Sequence, residues 1–192
     1  MSGTMPSFRL RKKIRLRKQD DMGEAMKLGE AIQTAIDYET KVLNVYRNAS
    51  DAISDMVGKR LFQALANDEQ YHVDYLKKKL DQWQKTGRLT VEDLKSSNPD
   101  IDAITGDIGK LESRMSEEDR GDEKQMLSKA LTVEVETSNF YKRMVSEMSE
   151  EGQQLFSQFM VIEDGHIAAV QAELDFINSS GYWFDSKEFD ME

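Results

Sequence analysis

Residues 58–80 read GKRLFQALANDEQYHVDYLKKKL, and residues 152–174 read GQQLFSQFMVIEDGHIAAVQAEL. At a constant offset of 94, Gly58, Leu61, Phe62, Glu69, His72 and Leu80 recur as Gly152, Leu155, Phe156, Glu163, His166 and Leu174. The chain has two histidines, and each follows a glutamate by three residues. On a helix that spacing puts a carboxylate and an imidazole on one face, about one turn apart, which is a chelating geometry. A single Glu-x-x-His on a helix is ordinarily a surface pair. Two copies that use every histidine of the chain, inside an internal repeat, point to a two-metal site.

The same apolar spacing extends outward into four long helices. The first is expected over about 21–49, with Leu28, Ile32, Ala35, Glu39, Val42 and Tyr46 inward. Spacings of three and four residues make one stripe of a helix. Ser50 or Asp51 is the candidate cap of the second helix, expected over about 52–85 with the stripe Leu61, Leu65, Glu69, His72, Leu76 and Leu80. The third is expected over about 122–148, with Leu127, Leu131, Glu134, Thr137 or Ser138, Tyr141 and Val145 inward. Ser149 to Gly152 breaks it. The fourth runs to about Asn178, with Leu155, Phe159, Glu163, His166, Val170 and Leu174 inward.

Between the second and third helices lies a segment, about 87–121, rich in Asp, Ser, Gly and Asn and containing Pro99. A connection of this length suits a crossover along a bundle. It has room for short helices near 90–95 and within 101–116. Two helical hairpins joined by one long crossover describe an all-α, ferritin-like four-helix bundle over residues 22–178. Residues 1–21 and 179–192 flank it as a basic extension and an aromatic, acidic tail.

Each Glu-x-x-His helix follows a helix with one inward glutamate. Glu39 lies 30 residues before Glu69, and Glu134 lies 29 before Glu163. Tyr46 and Tyr141 follow these glutamates by seven residues, two turns along the same face. The expected ligands are therefore Glu39, Glu69, His72, Glu134, Glu163 and His166. Bundles that hold two iron or manganese ions use this set: one Glu from each of two helices and Glu-x-x-His from the other two. Four buried carboxylates need compensation, and two divalent ions neutralise them. Glu69 and Glu163 are expected to bridge, Glu39 and Glu134 to be terminal, and Tyr46 and Tyr141 to orient the carboxylates. Oxygen and imidazole donors without thiolate suit Fe or Mn. Asp68, Glu136 and Asp164 fall off the stripe and are read as solvated or as supports behind the ligands.

Composition narrows the function. Cysteine is absent, which excludes disulfides, iron–sulfur clusters and any Cys₄ iron centre within the chain. No stretch is apolar enough to span a membrane. The basic N-terminus leads into Gln19-Asp20-Asp21, so it does not read as a signal peptide, and a cytoplasmic location is expected. Net charge is −10, but Arg9 to Lys18 carries seven cations and no acid. Without them the body has 19 basic and 36 acidic residues, a net −17. Such a body argues against nucleic-acid binding. The arm reads as a solvated extension, although Phe8, Leu10, Ile14 and Leu16 would also suit a short strand. Tyr182, Trp183, Phe184 and Phe189 form an apolar tail that suits a homodimer or larger assembly, or equally a tail folded back on its own bundle.

Over about 22–178 the paired motifs resemble the rubrerythrin family, within the ferritin-like superfamily. The ending Gly181-Tyr182-Trp183-Phe184-Asp185 is similar to endings of related proteins. The resemblance implies a non-haem di-iron centre that reduces hydrogen peroxide or dioxygen. Typical members carry a rubredoxin domain, which this cysteine-free chain cannot build. Electrons would come from a separate donor, such as a rubredoxin-like protein. Typical members also have a further glutamate three residues after the third-helix ligand. Here that position is Thr137, with Val42 as its first-helix counterpart. The departure moves the site toward a plain six-ligand ferroxidase, as in iron-storing or iron-delivering ferritins. A bundle that uses metal only for structure is a third reading.

Overall fold

The computed structural model describes the backbone of residues 7–94 and 121–180, and the side chains of 28–94 and 122–179. Among the described residues four helices make up an all-α bundle: α1 (Ser7–Ala52), α2 (Met56–Thr86), α3 (Gly121–Glu147) and α4 (Glu150–Ser180). No strand occurs among the described residues. α1 packs along α2 and α3 along α4, and the two hairpins meet through α1 against α3. No helix among the described residues is long and apolar enough to cross a membrane.

The helix starts differ from the expected ones for local reasons. α1 begins at Ser7 rather than near residue 21, so the basic stretch is helical and not a strand. No proline falls between Ser7 and Ala52, and Leu, Arg and Lys are good helix formers. At the other end, Ser50 and Asp51 remain inside α1. The cap of α2 is Asp55, whose carboxylate accepts from the backbone N–H of Val57 (2.7 Å) and Gly58 (3.2 Å). Between the helices Ile53 turns inward and is buried. α2 ends at Gly87, whose left-handed backbone (φ 64°) returns its N–H to the Trp83 carbonyl.

The start of the crossover, Leu89–Leu94, has no regular secondary structure, where a short helix was expected. Its backbone groups bond across to the bundle instead of along a helix. The N–H of Leu89 and of Leu94 donate to Glu151 and Gln158 on α4. Lys79 on α2, almost fully buried, donates to the Thr90 carbonyl and to the Glu92 carboxylate. Tyr75 donates to the Glu92 carbonyl at 3.0 Å. This stretch therefore straps α2 to α4. The helix expected within 101–116 and the aromatic tail lie outside the described residues.

The core falls into two apolar clusters. One contains Val42, Tyr46, Phe62, Leu65, Leu127 and Ile177. The other contains Ile32, Leu76, Phe140, Tyr141, Phe156 and Phe159. On every helix the glutamates and histidines expected as ligands fall between the two, while the buried Lys79 and Glu173 lie outside this belt. The bundle is thus an apolar plug, a polar belt and a second apolar plug. Each fully buried Leu, Ile or Phe contributes about 1.5–3 kcal/mol to holding that order.

Gly152, the repeat partner of Gly58, sits where α1 crosses the turn into α4. A Cβ there would lie 2.9 Å from Met148 Cβ and 3.1 Å from Leu28 Cδ1. Met148 Cβ is fixed to the backbone and cannot swing away. Gly152→Ala is therefore expected to lose about 1–2 kcal/mol despite alanine's better helix propensity. At roughly 2–4 °C per kcal/mol, Tm should fall by about 2–8 °C. An unchanged or higher Tm in thermal unfolding would show that this crossing is not tight.

Candidate metal centre

Each helix contributes to the belt through its heptad-like stripe. Glu39 on α1, Glu69 and His72 on α2, Glu134 on α3, and Glu163 and His166 on α4 are all fully buried. The six positions read from the sequence thus come together. Two overlapping groups could hold a metal ion: Glu39, Glu69, His72 and Glu163, and Glu69, Glu134, Glu163 and His166. Within each group the donor atoms lie within 4.8 Å of one another. Glu69 and Glu163 belong to both.

The donor atoms crowd one another, and several have no hydrogen-bond partner among the described residues. His72 Nδ1 is 3.3 Å from both Glu39 Oε2 and Glu69 Oε2. His166 Nδ1 is 2.8 Å from Glu69 Oε1, 3.7 Å from Glu134 Oε1 and 4.0 Å from Glu163 Oε1. Yet His166 Nδ1, Glu69 Oε1, Glu134 Oε2 and both Glu163 oxygens have no hydrogen-bond partner among the described residues. Buried polar atoms are rarely left so, because each costs about 1–3 kcal/mol. Two donors about 2.1 Å from one ion, at right angles, lie about 3 Å apart. The crowded, orphaned atoms could therefore hold a metal ion.

Tyr46 and Tyr141 brace the site crosswise. Tyr46, on the first hairpin, donates to Glu134 Oε1 on the second. Tyr141, on the second, donates to Glu39 Oε1 on the first. Each phenol fixes one carboxylate oxygen, which leaves Glu134 Oε2 without a partner among the described residues and Glu39 Oε2 facing His72 Nδ1. Asp68, read as off the stripe, is buried, and its Oδ2 lies 3.1 Å from His166 Nε2. The signal was present: Asp68 is seven residues after Leu61, three after Leu65 and four before His72, so it shares their face. Asp164 stays at the surface with Ser138 (3.1 Å) and Lys142 (2.9 Å). Glu136 is also exposed and pairs with Lys41 on α1. Thr137 is buried, and its hydroxyl returns to the Val133 carbonyl of its own helix at 2.9 Å.

Comparison with protein-family models, with curated proteins and with solved structures returns no match to this chain.

Without metal the belt carries its charge balance in protons. Burial, then the neighbouring Glu69, pushes Glu39 up to about 8. Burial, with Glu134, Glu39 and Glu69 around it, holds Glu163 well above the usual carboxylate range. Burial also raises Glu134. Burial opposes ionisation of Glu69, but His166, a hydrogen bond with Glu39 and His72 outweigh it and hold that carboxyl low. Burial disfavours charge on His72 as well, yet Glu69 and Glu39 take it to about 10. His166 is likewise held high against its burial, by Glu69 and Asp68. Burial, then Glu134 beside Tyr46 and Glu39 beside Tyr141, keeps both phenols protonated far above neutral pH.

These shifts fix the sign of a pH effect. Glu39 keeps its proton to about 8 in the fold but loses it near 4.5 when unfolded. His72 keeps its proton to about 10 rather than 6.5. A raised folded pKa stabilises at low pH, and that stability is lost as pH rises through the folded value. Glu69, held low, acts in the opposite sense, but only at more acidic pH. The chelator-treated protein should therefore melt lower at about pH 9 than at about pH 5, by roughly 5–10 °C. Bound divalent ions should replace those protons and abolish most of the slope. Differential scanning calorimetry across that range is the check, and a metal-free Tm that rises with pH would refute this electrostatic picture.

Proposed function

We propose that this chain is a non-haem di-iron oxidoreductase of rubrerythrin type that reduces hydrogen peroxide. The carrying observation is the pair of overlapping donor groups that share Glu69 and Glu163. That sharing supports Glu69 and Glu163 as bridges between two ions, with Glu39–His72 completing one position and Glu134–His166 the other. Carboxylate and imidazole donors without thiolate favour iron, with manganese as the alternative. Four carboxylates against two divalent ions leave the belt neutral. When bound, a redox-active pair supplies two electrons to the O–O bond of one peroxide, which takes up two protons and leaves as two waters.

The residues around the belt have matching tasks. Tyr46 and Tyr141 hold Glu134 and Glu39 through one oxygen each, so the ligands keep their places when the ions change charge. Both phenols keep their protons at neutral pH and stand as proton donors beside the reacting face. Phe159, edge-on to His72 at 5.5 Å, and Phe62, 6.0 Å from Tyr46, limit water on either side. Two electrons must return after each turnover. With no cysteine for an iron–sulfur or rubredoxin centre, a separate one-electron carrier such as a rubredoxin-like protein would supply them. A homodimer or larger assembly in the cytoplasm completes this reading.

One observation favours a second reading. The position one turn beyond Glu134 holds Thr137, whose hydroxyl is tied to its own helix. No carboxylate there can take over a ligand position when the ions are oxidised. A fixed six-ligand set suits ferroxidase work with dioxygen, followed by storage or delivery of iron.

Anaerobic loading should give about two irons per chain, and Glu69→Ala with Glu163→Ala should lose that tight binding. In stopped-flow mixing, the reduced protein should be oxidised faster by peroxide than by dioxygen, with no iron gathered beyond two per chain. Equal rates with both oxidants, together with iron accumulation, would replace the peroxidase by the ferroxidase. Tight binding of two ions by the double variant would remove the site altogether.

A further inference from the structure

The internal repeat makes the two halves of the belt alike in ligands but not in what stands behind them. The residue before Glu69 is Asp68, and the residue before Glu163 is Ile162. Both are buried, so one half has an inner carboxylate where the other has an aliphatic side chain. Asp68 Oδ2 lies 3.1 Å from His166 Nε2 but 3.9 Å from His72 Nε2. The two imidazoles stack at 5.6 Å, so the carboxylate reaches the outer edge of both and bonds to one. His72 Nε2 is buried and has no hydrogen-bond partner among the described residues.

We propose that Asp68 makes the two metal positions unequal: the Glu134–His166 position fills first and tightly, and the Glu39–His72 position fills second and exchanges its ion. The inference rests on the two-metal reading above. His166 presents Nδ1 to the belt and Nε2 to Asp68. The hydrogen bond from Nε2 fixes the tautomer that leaves a lone pair on Nδ1, orients the ring and raises its basicity toward a cation. The carboxylate also adds a negative charge close behind that position, beyond the four that two divalent ions neutralise. His72 can reach the same tautomer but gains neither effect in full. Ligand type does not separate the positions, because each has one terminal glutamate, one histidine and a share of both common carboxylates. The difference therefore comes from Asp68 against Ile162.

Manganese(II) is a suitable probe because its paramagnetic signal distinguishes a lone ion from a coupled pair. The metal-free full chain is titrated with Mn(II), following binding by calorimetry and the spectrum by electron paramagnetic resonance. Two steps are expected. The first equivalent should give a mononuclear signal, and the second should convert it into that of a coupled pair. Asp68→Asn should weaken the first step by roughly 10- to 100-fold and leave the second nearly unchanged, so that the steps merge. Should that variant fold poorly, His72→Ala should retain one ion at first-step affinity, whereas His166→Ala should retain one only at the weaker affinity. Two ions bound in one step by the unaltered chain, equal weakening of both steps by Asp68→Asn, or the reverse order in the histidine variants would overturn the inference while leaving the two-metal reading intact. Failure of the unaltered chain to bind manganese or iron at all would instead remove the two-metal reading itself.

Discussion

Everything in this bundle is arranged around one electrostatic constraint, the burial of four carboxylates and two imidazoles at the same height on four helices. Uncompensated, such a belt would be prohibitive. The metal-free chain manages it by holding protons on Glu39, Glu163, His72 and His166, and by leaving Glu69 as the anion at the centre. The apolar clusters on either side have to supply the stability that the belt does not, and they also keep its dielectric low. The same low dielectric strengthens the attraction between these carboxylates and any cation that takes the place of the protons, so a cluster that is poor as a core could hold a metal ion.

The belt also decides how the hairpins are joined. α1 meets α2 and α3 meets α4 along their lengths, which is the expected behaviour of helices linked by short turns. The two hairpins share both apolar clusters, and polar contacts add to what joins them. Tyr46 and Tyr141 reach across to Glu134 and Glu39, and Asp68 reaches across to His166. On the α2–α4 side the irregular Leu89–Leu94 stretch adds bonds to both helices through Lys79, Glu151 and Gln158. Rotating one hairpin against the other would therefore strand several buried polar atoms at once. Specific relative placement of the hairpins follows from hydrogen-bond satisfaction more than from apolar contact, which is tolerant of small slides.

The ligand positions were legible because helix periodicity is strict. A glutamate, a histidine and a tyrosine at spacings of three and seven must share a face, whatever packs against it. Leu28 through Tyr46 on α1 and Leu155 through Val170 on α4 are buried in the pattern their spacing predicts. What escaped depends on contacts between distant segments. Thr90 and Glu92 read locally as a possible helix start, yet a buried Lys79 eleven and thirteen residues away in sequence decides their conformation. Asp55 caps α2 in place of Ser50 because α1 continues long enough to bury Ile53 and only then turns. Asp68 has the spacing of an inward residue, but an aspartate invites a solvated reading until its partner, 98 positions away, is known.

The repeat also separates what a site needs from what a particular site does. Positions that recur, Glu69 with Glu163 and His72 with His166, are those that any pair of divalent ions would require. Positions that differ, Asp68 against Ile162 and Val42 against Thr137, touch no shared requirement and can diverge freely. Yet these are the positions that act on the ligands: one orients an imidazole, and the other denies the third helix an extra carboxylate. Fold and ligand set therefore fix what the belt could hold, a metal ion among buried carboxylates and imidazoles. Under the di-iron proposal, the choice of oxidant would rest on the unlike residues behind the like ones, because those act on the charge and orientation of the ligands.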